Sequence, residues 1–351
     1  MTELEQYTRL AKILDSLPNG FPSTKSGIEL RLLAKIFAPD EASMACNLTL
    51  DAEPARAVAD KAGLDPRQTR DILKRMAAKG LIDVRRGEGE FFYALRPFVV
   101  GFYEGQLPRM DKEMAGLFEE YYREMKGDLL RQTPALHRVI PIGRTIRANI
   151  TIDPYPEAVA LIEKAQSWGV RECICRKQQH LVGKGCTHDL ENCLTFAPVK
   201  NAFDRSTVDR AISKDEALRI LRETEEAGLI HSSGNYVDGI DYICNCCTCC
   251  CAIMRGVTEY GILSAIAHSD YRIELDESLC NNCAACIDRC KFNALSIPDT
   301  RLVIDLKYCL GCGLCTLSCP SEALRLRKRD LSDILALPRN IREWREQRLR
   351  R

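Results

Sequence analysis

No sign of charge dominates this chain. Fifty Lys and Arg stand against 49 Asp and Glu, a formal net charge of +1 over 351 residues, so attraction to a polyanion could come only from local patches. No apolar run approaches the roughly 18 residues of a membrane span. The residues up to Leu17 are mixed in charge and amphipathic, without the basic start and apolar stretch of a secretory signal. A glycine-rich strand-to-helix turn of the dinucleotide type is missing, and so is a phosphate loop, which leaves a flavin, nicotinamide or nucleotide site without support. Cysteine is nearly absent from the first half, where Cys46 alone precedes residue 170. These absences lead us to expect a cytoplasmic chain with no transmembrane segment.

The other cysteines, from a total of nineteen, crowd into the second half. In a reducing compartment such spacing suits metal or redox ligands better than a disulfide scaffold. Cys280, Cys283, Cys286 and Cys290 follow C-x2-C-x2-C-x3-C, and Cys309, Cys312, Cys315 and Cys319 repeat it. In a tight loop the first three thiolates converge on one cube and the fourth points away. Pairs of zinc-binding C-x2-C motifs are the competing reading, which the three-residue last gap disfavours.

These two phrases resemble bacterial two-cluster ferredoxins over residues 271–326. The resemblance implies two [4Fe-4S] clusters with crossed ligation, one held by Cys280, Cys283, Cys286 and Cys319, the other by Cys309, Cys312, Cys315 and Cys290. The family proline follows Cys319 as Pro320, whereas Lys291 follows Cys290. Short strands are expected at Tyr271 to Leu275, Ala294 to Ile297, Arg301 to Ile304 and Ala323 to Leu326.

Ten cysteines lie upstream: Cys173, Cys175, Cys186 and Cys193, then Cys244, Cys246, Cys247, Cys249, Cys250 and Cys251. The phrases Glu172-Cys173-Ile174-Cys175-Arg176 and Cys244 to Cys251 resemble those of a poorly characterised group of ferredoxin-like proteins from anaerobic bacteria, over about residues 138–326. That resemblance implies iron–sulfur binding and electron transfer. Four thiols in the first group suffice for one cube, and six in the second exceed what one cube uses. Adjacent cysteines such as Cys246 and Cys247 rarely turn both sulfurs to one ion. The expectation is a further iron–sulfur centre in 173–251, with zinc as the alternative and a metal-free dithiol pair as a third reading. His180, His188 and His231 are nearby and could ligate, but a lone core or surface histidine is the commoner case. Cys46 reads as a buried thiol.

The N-terminal part has a different grammar. Pro54 to Ala62 forms a short helix and Gly63 a turn. Asp65-Pro66-Arg67-Gln68 then supplies an N-cap, a first-turn proline and a capping glutamine to the next helix. That helix turns Ile72, Leu73, Met76 and Ala77 inward and ends at Gly80. Leu81 to Arg86 and Glu90 to Leu95 flank Gly87-Glu88-Gly89 as a hairpin. The order resembles the winged helix-turn-helix superfamily, which implies either DNA recognition by Arg67, Arg70 and Lys74 or a docking role.

The expected fold class is α+β: a winged-helix-like domain (1–110), a helical connector (111–165) punctuated by Pro134, Pro141, Pro154 and Pro156, a cysteine-rich domain (166–268), a dicluster ferredoxin domain (269–329) and a basic helical tail (330–351). Within the cysteine-rich part, Ser213 to Glu216 is a capping box whose helix ends at Gly228. The expected function is electron delivery to a partner protein oxidoreductase, as an electron-transfer component rather than a stand-alone enzyme. The alternatives are a redox-responsive transcription regulator and an oxidoreductase whose upstream centre binds substrate.

Overall fold

The computed structural model describes residues 2–142, 157–334 and 336–350. Pro154 and Pro156 of the expected connector lie outside these residues, as does Arg351 of the tail. The chain divides into two compact units, the first reaching Leu129 and including Gln178–Gly183, the second comprising Leu130–Lys177 and Lys184–Arg350.

In the first unit the elements run α1 (Glu3–Ser16), α2 (Ile28–Ile36), α3 (Pro39–Ala45), β1 (Glu53–Pro54), α4 (Ala55–Ala62), α5 (Pro66–Ala78), β2 (Ile82–Arg86), β3 (Phe91–Leu95), α6 (Tyr103–Gly105) and α7 (Lys112–Met125). Gly63 closes α4 in the left-handed conformation that glycine tolerates. The Asp65 carboxylate accepts from the N–H groups of Arg67 and Gln68, which caps α5 at its start, Pro66. Thr69, Ile72, Leu73 and Met76 form the buried side of α5, while Arg67, Arg70 and Lys74 are exposed. Strands β2 and β3 form an antiparallel hairpin, with β1 on the far edge of β3. Phe98 packs edge to face with Phe21 and with Tyr121, and Phe21 and Tyr121 meet at a tilt, with ring centroids 5.0–5.5 Å apart. Cys46 caps the end of α3 and is half-buried rather than sealed in the core.

The second unit opens with β4 (His137–Val139) and continues α8 (Ala158–Lys164), β5 (Ser167–Glu172), the start of α9 (Ile174–Leu181, whose residues from Gln178 belong to the first unit), β6 (Glu191–Ala197), β7 (Arg210–Ile212), α10 (Lys214–Glu226), β8 (Ile230–Gly234), β9 (Tyr242–Cys246), α11 (Ala252–Tyr260) and β10 (Ile266–Ala267). Its seven strands lie in the order β10-β4-β8-β9-β6-β5-β7, antiparallel except for the β10–β4 pair. β4 falls inside the stretch read as a connector, so the sheet begins well before residue 166. Ser213 caps α10 through the N–H of Glu216. Ile220 and Leu221 of that helix pack with Leu161, Ile162, Val170, Leu194, Phe196 and Ile243 into the core.

The same unit contains β11 (Tyr271–Leu275), α12 (Ala285–Arg289), β12 (Leu295–Ser296), β13 (Val303–Ile304), α13 (Leu314–Leu317), β14 (Leu324–Lys328) and α14 (Ile341–Leu349). β11 pairs antiparallel with β14, and β12 with β13, a strand–helix–strand motif stated twice. The basic tail is anchored. In α14, Trp344 and Arg348 are buried, the Trp344 indole donates to Ala135 O at 2.9 Å, and Arg348 donates to Gln132 O at 2.7 Å while stacking over the Trp344 ring.

Candidate metal centres

The eight cysteines of the repeat line two separate cavities. One is bounded by Cys280, Cys283, Cys286 and Cys319, the other by Cys290, Cys309, Cys312 and Cys315. In each repeat, two residues between the cysteines take the left-handed conformation: Asn282 and Ala284 in the first, Gly311 and Gly313 in the second. This winds each loop around its cavity. Glycine is obligatory at 311, because a Cβ there would stand 2.0 Å from Tyr271 O. Arg329 braces the second loop, donating to Cys309 O at 2.9 Å and to Tyr271 O at 3.1 Å. Burial pushes the Cys312 thiol up to about 12, so an empty loop would hold a neutral thiol. Four thiols around one cavity, twice, fit the donor set of a cube.

The ten upstream cysteines separate into two groups. Six of them close a ring of thiol contacts. Cys173 touches Cys175 and Cys193, Cys175 touches Cys251, Cys251 touches Cys246, Cys246 touches Cys244, and Cys244 returns to Cys193. The sheet explains the closure. Cys173 follows β5, Cys193 lies on β6, and Cys244 and Cys246 lie two apart on β9 and so face one way. β6 is paired with both β5 and β9. Cys175 is the second residue of α9 and Cys251 is the N-cap of α11.

The remaining four, Cys186, Cys247, Cys249 and Cys250, hold their sulfurs within 4.8 Å of one another. Thus the neighbours Cys246 and Cys247 do serve different groups, while the neighbours Cys249 and Cys250 share one, their sulfurs 3.9 Å apart. Cys186, expected with Cys173, Cys175 and Cys193, joins the later cysteines instead.

Arg176 faces both groups and is fully buried. It donates to Asp189 O at 2.5 Å and to Asn192 Oδ1 at 2.7 Å, and also to Asn245 O. The Cys173 thiol is held well below its usual range by hydrogen bonds from Cys175 and Cys193 and by the Arg176 charge. Cys247 is pushed down to about 4 by the Cys250 hydrogen bond, with Arg176 adding to it. Burial and the neighbouring Cys247 push Cys249 up to about 12. In each group, negative charge therefore collects on a cysteine that interacts with the guanidinium.

The histidines are placed otherwise. His231 is buried with Nδ1 2.6 Å from Asn245 Oδ1, so it orients β9. His180 is exposed and His188 half-buried. Among the described residues neither they nor His231 join a metal-ligating group. Sequence reasoning missed Arg176, Asn192 and Asn245 as supports. Arg176 had one signal, its place directly after Cys175.

The family described as 4Fe-4S dicluster domain matches residues 279–323, and the chain is accordingly an iron–sulfur protein with a ferredoxin module. Among curated proteins and solved structures none matches the chain. No helix among the described residues is long and apolar enough to cross a membrane.

Proposed function

We propose that this chain is an electron-transfer protein that relays electrons through two [4Fe-4S] clusters to a partner oxidoreductase. The carrying observation is the pair of cavities, each lined by three cysteines of one repeat and the last cysteine of the other. Bound cubes supply one-electron chemistry. The chain's part is to hold them in two rigid loops, so that little rearrangement accompanies each transfer. The four thiols of each cavity would together ligate one cube, and α12 and α13 bring Cys286 and Cys315 of the two sets near one another.

The ring of Cys173, Cys175, Cys193, Cys244, Cys246 and Cys251 extends the reading to a further iron–sulfur centre. Six thiols exceed the four that one tetrahedral ion accepts, which favours a polynuclear centre. Anaerobically purified full-length protein should contain more than the roughly eight irons of two cubes, with matching sulfide. Reduction should produce a paramagnetic signal that a one-electron acceptor removes. Protein containing zinc but no acid-labile sulfide would refute the electron-transfer reading.

A second reading, DNA recognition by the first unit, rests on the exposed Arg67, Arg70 and Lys74 along α5 ahead of the β2–β3 hairpin. It requires binding to a selected duplex that falls steeply with salt and vanishes when the three are replaced by alanine.

A further inference from the structure

Two kinds of thiol constellation occur in this chain, and their spacing separates them. In the cavities of the ferredoxin module the four cysteines surround an opening. Among the described residues no three of those eight thiols, and no three of the six ring thiols, draw as close together as Cys186, Cys247, Cys249 and Cys250. A cube places its own irons and sulfides between any two of its thiolates, so they stand well apart. A single tetrahedral ion does not. With zinc–sulfur bonds of about 2.3 Å, the edges of a four-sulfur tetrahedron are about 3.8 Å. The sulfur separations here are 3.6 Å for Cys186 and Cys250, 3.9 Å for Cys186 and Cys247, and 3.9 Å for Cys249 and Cys250.

From this we propose that Cys186, Cys247, Cys249 and Cys250 form a mononuclear four-thiolate site for a zinc ion, distinct from the iron–sulfur centres and from the ring.

The surroundings suit a closed structural ion. Cys247 and Cys250 are buried against Leu229, with Cys186 packed beside them, and Cys249 alone is exposed. Four thiolates around a dication leave an excess of negative charge, and the buried Arg176 guanidinium hydrogen-bonded to Cys247 offsets part of it. Four protein ligands leave no open position for a substrate. The ion would tie the loop before β6, which carries Cys186, to the turn between β9 and α11, which carries the other three. That turn is already tight, the Cys251 N–H donating to Cys247 O at 3.2 Å. The metal's binding energy then becomes folding energy for the two loops.

The test uses the full-length chain purified without added metal other than iron. Elemental analysis should find one zinc per chain. In the Cys186→Ser/Cys249→Ser double variant that zinc should be lost while iron and sulfide stay unchanged. Growth with cobalt in place of zinc should give the visible bands of a tetrahedral tetrathiolate cobalt site in the parent chain and not in the variant. If the variant does not fold, X-ray absorption at the zinc edge of the parent chain decides, and should show four sulfur neighbours at about 2.3 Å. Nitrogen or oxygen neighbours, a chain without zinc, or a variant that loses iron and sulfide would each overturn the proposal. Iron and sulfide read the electron-transfer proposal and zinc reads this one, so either can fail alone.

Discussion

Asn245 lies between Cys244 and Cys246, and its main-chain oxygen accepts a hydrogen bond from the guanidinium of Arg176, the residue after Cys175. One buried cation therefore joins the start of α9 to β9, at the point where both thiol groups converge. Its other acceptors, Asp189 O and Asn192 Oδ1, are buried or lie in the Cys186 loop. Replacing Arg176 by Met would leave three acceptors to be satisfied elsewhere, each costing about 1–3 kcal/mol if it is not. We expect a several-degree fall in the melting temperature and reduced upstream metal, with the ferredoxin signals unchanged. Arg176→Lys should restore only part, since an ammonium lacks the planar fork.

Crossed ligation makes a non-additive prediction. Cys280 and Cys319 line one cavity, and Cys290 lines the other. Cys280→Ser and Cys319→Ser should each cost the same cube, about four irons, and the double variant should cost no more than either. Cys280→Ser combined with Cys290→Ser should cost both. Iron analysis with paramagnetic resonance of the reduced protein reads the difference.

Arg138 on β4 and Asp270 before β11 form an ion pair in which each side chain is 3% exposed. Breaking such a pair from one side strands a charge in the interior, at about 3–5 kcal/mol. Asp270→Ala should lower the denaturant midpoint accordingly. The double variant Asp270→Ala/Arg138→Met should recover much of the loss.

Acidification should weaken the fold through His137. This side chain is 4% exposed, lies 3.2 Å from Ser232 Oγ and 3.0 Å from the Tyr242 hydroxyl, and burial lowers it from 6.5 to about 4. Above pH 6.5 both folded and unfolded chains hold it neutral and no stability is lost. Between 6.5 and 4 the unfolded chain takes up a proton that the native one refuses, so stability falls with pH by at most about 3 kcal/mol. Denaturation curves from pH 7.5 to 5.5 should show this slope, and His137→Gln should flatten it by the His137 share.

Local signals wrote much of the fold into the sequence. Asp65 and Pro66 mark the start of α5 because capping is a matter of a few adjacent residues, and Ser213 marks α10 for the same reason; the Gln68 side chain adds no reciprocal cap. The repeated cysteine spacing carries the ferredoxin loops, whose wrapping is also local. The division of the upstream cysteines was not legible. It depends on β6 lying between β5 and β9, which brings Cys193 against both Cys173 and Cys244, and on where the Cys186 loop returns. Strand order is a tertiary property, invisible to spacing along the chain. The anchoring of the tail was not legible for a related reason: along the chain Arg348 is one basic residue among several, and only the fold sets it against Trp344 and the carbonyl groups near residue 132.

A single peptide plane separates Cys246, in the ring, from Cys247, in the tetrad, so their Cα atoms are about 3.8 Å apart. Such a plane is stiff and turns as a whole. The two sulfurs leave that plane from opposite ends through separate backbone and χ1 rotations, so each can settle into its own constellation. The plane is thus a shared anchor and not a lever: Cys246 is fixed by the pairing of β9 with β8, so emptying the tetrad should leave the ring sulfurs where the sheet holds them.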